Sequence, residues 1–253
     1  MSKRPNRAAV CSGVLLLLAL GGAAAQEGDS KTAPAIEPGV IEALDKMGAY
    51  LRTINHFAVQ AEATIDEVLE SGQKVQFEST INIRAKRPEH LFIEVVSDRK
   101  HRQFFFDGKT FTIWGPRNKY YASAPVSGTL AQLADRLETE YDITLPLSDL
   151  FRWGTEAKGH PEIKGAMHVG PALVGEIPCN HFAFRQEGVD WQIWVQKGDS
   201  PLPIKLVITT TDDDARPQYA AVLDWNLAPA LTNAMFTFDP PRDAHKIAIR
   251  EQQ

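Results

Sequence analysis

The stretch "QFFFDGKTFTIW", residues 103–114, decides the fold. Three consecutive phenylalanines, an Asp-Gly pair and a second run holding Phe111, Ile113 and Trp114 predict a β-hairpin. Asp107-Gly108 reads as a two-residue turn with positive φ at both central positions, which pairs Phe106 with Lys109, Phe105 with Thr110 and Phe104 with Phe111. Side chains alternate along a strand, so Phe104, Phe106, Phe111 and Ile113 share one face. The opposite face, with Gln103, Phe105, Thr110, Thr112 and Trp114, is mixed. A three-residue loop would scatter the aromatics over both faces, so periodicity argues for the shorter turn. So much apolar surface on one side must be covered.

Period-two alternation extends on both sides of the hairpin. Phe57, Val59, Ala61, Ala63 and Ile65 alternate with polar residues, and after "ESGQ" Val75, Phe77, Ile81 and Ile83 do the same, predicting two long paired strands. "HLFIEVVS" after Arg87-Pro88 makes a third strand and "NKYYASAPV" a sixth. The spacing of Val40, Ala43, Leu44, Met47, Tyr50, Leu51 and Ile54 predicts an amphipathic helix over residues 39–55, with Pro38 at its start. In mid-chain, Leu130, Leu133, Ala134 and Leu137 form one helical stripe, and "PLSDLFRW" opens a second short helix at Pro146. Strands return in "ALVGEIPCNHFAFRQ", "VDWQIWVQK", "PIKLVITTT" and "QYAAVLDWNLA". Helix, strands, helices, strands is the order of an antiparallel sheet with helices on one side.

The first residues, "MSKRPNRAAVCSGVLLLLALGGAAAQ", combine a basic start, an apolar run and small residues, the pattern of a secretory signal peptide over residues 1–25. Residues 26–38 read as a flexible leader and residues 39–253 as one domain. The mature chain has no second apolar run of transmembrane length. Removing residues 1–25 takes away Lys3, Arg4 and Arg7 and no acid, lowering the net charge from −5 to −8, so nucleic acid is not an expected partner. Cys179 is then the one cysteine left, which excludes an intramolecular disulfide and favours a small buried side chain.

The combination "RPEHLFIEV", "FFFDGKTFTIW", "LPLSDLF", "GEIPCNHFAFRQEGVDWQIWVQKGDSPLPIKLVIT" and "DWNLAPALTNAMFTFDPP" resembles an uncharacterised family of predicted bacterial periplasmic proteins, a domain of unknown function. That family is similar in turn to the outer-membrane lipoprotein carriers LolA and LolB. The resemblance spans about residues 40–247 and is most specific over residues 181–203. It implies an α+β, mainly antiparallel fold: a strongly curved open half-barrel whose concave apolar face is covered by helices. It also implies a strand arginine that closes the lid by hydrogen bonds, for which Arg84 is the candidate.

No chemical motif competes with this reading. The histidines at 56, 90, 101, 160, 168, 181 and 245 lack metal-ligand spacing, and Asp212 to Asp214 lack the alternation of a calcium loop, so no metal and no cofactor are expected. Ser-x-x-Lys occurs twice, as "SGQK" and "SDRK", without its companion motifs, and no nucleophile elbow or phosphate loop is present. The sequence therefore points to a non-enzymatic protein, and two readings of the apolar face stand. Either it is a packed core of an envelope module that binds another protein, or it is the wall of a cavity for a lipid or acyl chain. On the cavity reading the wall is Val59, Ile65, Phe77, Ile81, Ile83, Phe104, Phe106, Phe111, Ile113, Phe182, Phe184, Trp191 and Ile193, beneath a lid helix carrying Leu130, Leu133 and Leu137.

Overall fold

The structure, a computed structural model, describes residues 35–153, 160 and 162–249. The expected signal peptide and the leader up to residue 34 lie outside the described residues, as do residues 250–253. Helix α1, Val40–Thr53, buries Val40, Leu44, Met47 and Leu51, one stripe at helical spacing. Its N-cap, Gly39, has φ 86°, a conformation that favours glycine. Strands β1 (His56–Val68), β2 (Lys74–Lys86), β3 (His90–Val96), β4 (His101–Phe106), β5 (Thr110–Gly115) and β6 (Tyr120–Pro125) follow as a meander.

Helix α2, Leu130–Tyr141, starts at a capping box in which the Thr129 hydroxyl accepts from Gln132 N and the Gln132 side chain accepts from Thr129 N. A single helical turn, α3 (Asp149–Arg152), comes next. Strands β7 (Gly165–Val174), β8 (Ile177–Gln186), β9 (Val189–Gln196), β10 (Pro203–Thr210) and β11 (Gln218–Asn226) bring the chain back beside β1. A 3₁₀ turn at Asn233–Phe236 and the short β12 (His245–Lys246) end the described fold.

The sheet is open, with order β12-β6-β5-β4-β3-β2-β1-β11-β10-β9-β8-β7. Its neighbours are antiparallel except β12, which joins β6 in parallel. The expected strong curvature is not found: the sheet is not strongly curled. Bulges are the usual means of bending a sheet, and the described ladders carry register shifts only at His168/Gly170 and Pro203/Lys205.

Two further sequence expectations need correction. In the β4–β5 hairpin Phe106 pairs with Phe111, Phe105 with Thr112 and Phe104 with Ile113, two residues beyond the expected register. The cause is Asp107, whose carboxylate accepts from Lys109 N at 3.0 Å and Thr110 N at 2.8 Å, closing an Asx turn. Only Gly108 then needs positive φ, 89°. Because the shift is even, every side chain keeps its face. The second correction is β7, which the sequence pattern does not set apart as a strand of its own. Gly170, with φ 135° at the bulge, and Pro171 break its periodicity, and both are tolerated because β7 is an end strand.

One face of the sheet is buried against the helices. Matched pairs define it, for example the row Val59, Ile83, Ile93, Phe104, Ile113 across five strands. The buried residues of α1, α2 and α3 join the same continuous core. The other face is covered over part of its area by the C-terminal segment. Phe238 packs its ring on Phe105, Trp114 and Tyr121, Phe236 packs on His90, and Lys86 Nζ donates to Asn233. Ile247 N then donates to Tyr121 O at 2.8 Å, holding β12 on the sheet's edge.

Candidate functional site

Every expected wall residue lies on the helix-covered face, but the face has two different ends. At the first, Phe104, Phe106 and Phe111 from the hairpin, with Val59, Ile83, Leu130, Leu133 and Leu137, are buried members of the packed core, and Phe182, Phe184 and Ile193 on β8 and β9 are buried members of the same core toward the sheet's other edge. Phe106 is 0% exposed. Ile113 is only partly buried against that core.

The second end lies where β1 and β2 meet their connecting loop. There a cleft of about 580 Å³ opens between the sheet and the connection of residues 144–149. Its sheet wall is Ile65, Phe77, Ile81, Val95, Leu206, Ile208 and Tyr219, its roof includes Leu145, Pro146 and Leu147, and Glu67, Glu78, Arg99 and Lys100 also line it. Ile65 is 46% exposed, an unusual position for an isoleucine on a core-facing row. Arg99 bonds Glu67 at 2.8 Å and lies 4.3 Å over the Phe77 ring, pinning that part of the lining. A second cavity of about 250 Å³ shares Asp149, Leu206 and Ile208 with the cleft and adds Leu44, Trp153, His160, Glu162 and Trp191. Of the expected wall, then, Ile65, Phe77, Ile81 and Trp191 line these two cavities, and the hairpin phenylalanines do not.

The roof is tied down from the β2–β3 connection. Arg87 Nη2 donates to Leu150 O of α3 at 3.0 Å, its guanidinium stands 5.8 Å over the Phe57 ring, and Pro88 O accepts from Leu130 N of α2. Arg84, the candidate for this role, points the other way. Its register places it on the opposite face, where it lies 5.4 Å over Phe92.

Two polar groups of the cleft, Asp149 and Tyr219, are perturbed by burial. Burial pushes the Asp149 carboxyl up, against the opposing pull of Arg152 and with a smaller push from Glu138. Burial also pushes the Tyr219 hydroxyl up, with Asp149 adding to it, so it is a neutral donor at any physiological pH. Cys179 lies at 0% exposure with its thiol pushed up by burial, which makes it unreactive. Among the described residues no cluster of three or more His, Cys, Asp or Glu could hold a metal, and no helix is long and apolar enough to cross a membrane.

Sequence reasoning missed Asp149, Tyr219, Arg87 and the roof at residues 144–149. Tyr219 sits in an alternating strand, but its place opposite Ile65 depends on β11 pairing with β1, a contact between the two ends of the domain. No local signal carries it.

The solved structures similar to this chain include an uncharacterized conserved protein from Thermus thermophilus, at 12% identity and TM-score 0.48, covering 82% of this chain and 97% of that one. The Mycobacterium tuberculosis lipoprotein LppX matches at 8% identity and TM-score 0.47, covering 78% of this chain and 100% of that one. A LolA superfamily protein from Nitrosomonas europaea matches at 10% identity and TM-score 0.40, covering 79% and 97% respectively. No curated protein matches. The model of one family, DUF2092, described as a predicted periplasmic protein, matches residues 40–250, and the chain belongs to that family.

Proposed function

We propose that this protein is a non-enzymatic periplasmic binder or carrier of a hydrophobic molecule, a lipid or acyl chain, held between the sheet and the connection of residues 144–149. The observation that carries the reading is the cleft of about 580 Å³ with its apolar sheet wall and roof, a size within the range of about 300–1,000 Å³ typical of small-molecule sites. Each methylene moved from water into such a wall is worth roughly 0.8 kcal/mol, so an alkyl chain gains affinity without many polar contacts. Export by a signal peptide ending at Ala25 belongs to the same proposal, and the mature chain recovered from the periplasm should have the mass of residues 26–253.

The test is organic extraction of purified protein followed by mass spectrometry, with uptake of N-phenyl-1-naphthylamine by the delipidated protein. Copurified lipid and a saturable fluorescence rise support the carrier. Neither, from a folded protein, would favour an envelope interaction module instead. That second reading draws on the packed hairpin end and on β7, an end strand whose Met167, Val169 and Leu173 are exposed.

A further inference from the structure

Across six strands of the helix-covered face runs one row of matched residues: Phe184, Trp191, Ile208, Tyr219, Ile65 and Phe77. Besides the indole N–H of Trp191, only the Tyr219 hydroxyl brings a polar side-chain atom to it. That hydroxyl is buried and among the described residues has no hydrogen-bond partner, although both Tyr219 and Asp149 line the cleft. A buried hydroxyl left unsatisfied is costly and is normally paired with protein, water or ligand. Asp149 also lines the adjoining cavity, so it stands where the two cavities share a wall, and Tyr219 is the strand partner of Ile208 on that shared wall.

Resting on the carrier reading above, we propose that Tyr219 and Asp149 form a polar anchor in the cleft that selects an uncharged, hydroxyl-bearing amphiphile over the corresponding carboxylate. The chemistry is complementary in both directions. Tyr219 donates to the ligand oxygen, and Asp149 accepts the ligand's own hydroxyl proton. A ligand carboxylate has no proton to give, and charging it beside the Asp149 carboxyl puts two acids in a poorly solvated site that disfavours ionisation. The remaining charges do not reverse this preference. Arg152, the cation that pulls on Asp149, is engaged by Asp135 and Glu138, and Glu162 adds another acid to the adjoining cavity beside His160. In the cleft lining Glu67 and Glu78 balance Arg99 and Lys100. Hydroxyl recognition also accounts for a tyrosine where the rest of the row is hydrocarbon or indole: a phenylalanine would fill the same space without the unsatisfied oxygen.

The experiment displaces N-phenyl-1-naphthylamine from the full-length mature protein with 1-decanol, decanoate and 1-chlorodecane at neutral pH. Wild type should prefer 1-decanol to both others by about 3- to 10-fold, the size of one or two net hydrogen bonds. Tyr219→Phe should hold or raise the melting temperature of the empty protein and, measured against its own probe affinity, reduce the preference over 1-chlorodecane to the share supplied by the bond to Asp149. Asp149→Asn, measured against its own probe affinity, should lose the discrimination against decanoate. Equal or tighter binding of decanoate by wild type, or an unchanged alcohol preference in Tyr219→Phe, overturns the anchor while leaving the carrier standing. Failure of the wild type to take up the probe at all overturns both.

Discussion

The hairpin end and the cleft end of the covered face use the same residue types on the same sheet, yet one is solid and the other open. Phe106 on β4 and Phe77 on β2 occupy the same face; the first is fully buried and the second only half so. What differs is what lies above them. The hairpin phenylalanines share a core with the regular stripe of α2, which presents a leucine or alanine at each turn. The cleft is roofed by residues 144–149, which are not a helix through most of their length and bring only Leu145, Pro146 and Leu147 as apolar cover. An apolar sheet face therefore becomes core or cavity according to the regularity of its cover.

The sharpest way to break this comparison is at Phe106. Phe106→Ala should cost about 3–5 kcal/mol, the range for a buried phenylalanine, read as a fall in the urea midpoint. Probe uptake per folded molecule should not change. Loss of uptake in the folded fraction would mean that the two ends are one cavity.

Much of this is legible in the sequence, and the exceptions have physical causes. Period-two patterning locates most strands and places Phe104, Phe106, Phe111 and Ile113 on one face even though the expected hairpin register is two residues off, because parity survives an even slip. The patterning merges the end of β7 with β8 and misses the start of β7, where Gly170 and Pro171 interrupt it, and it is silent about the C-terminal segment, whose Phe236 and Phe238 find their partners on β3 to β6, far back along the chain. The site is less legible than the fold for a related reason. A stripe of leucines announces a helix, but nothing in "DITLPLSDLF" announces that it leaves a gap beneath it. Arg84 attracts the lid-closing role because it lies within an alternating strand. Alternation in fact turns it away from the helices, and Arg87, just past the end of β2, reaches α3.

Arg87 gives the next largest effect. Arg87→Ala removes a charge-assisted bond to Leu150 O, worth about 1.5–3 kcal/mol, and frees the short helix that follows the roof. Stability should fall by that amount, and stopped-flow exchange of the probe should become faster. Slower or unchanged exchange would show that the roof does not depend on this tie.

Phe77→Ala probes the open end itself. A half-buried side chain on a cavity wall has already given up part of its packing, so the stability loss should be no more than about 1 kcal/mol. Probe affinity should fall several-fold, the reverse of the Phe106 pattern. If Phe77→Ala instead unfolds the protein and leaves affinity intact, Phe77 is core and the contrast between the ends disappears.

The smallest effects are expected from two aspartates whose environments pull in opposite directions. Arg185 grips Asp190 through two bonds of 2.8 and 3.0 Å, which outweighs the effect of burial, and Arg216 adds a weaker one, so its pKa is lowered in the folded protein. Asp149 has its pKa raised, chiefly by burial. By linkage, Asp190 stabilises the fold above its unfolded pKa of about 3.9, and that contribution is lost as pH falls through its lower folded value. Asp149 behaves the other way: its contribution is fully present below about pH 3.9 and is lost as pH rises through its higher folded value. Asp190→Asn should therefore cost about 0.2–1 kcal/mol at neutral pH, as partly exposed ion pairs do, with the deficit closing on acidification. Asp149→Asn, whose amide imitates the protonated acid, should match wild type in acid and exceed it at neutral pH. Urea midpoints of the three proteins measured from about pH 3 to about pH 8 read both curves. If Asp149→Asn is instead less stable than wild type at neutral pH, the carboxylate is solvated or paired there, and the open end of the face is more polar than its apolar walls imply.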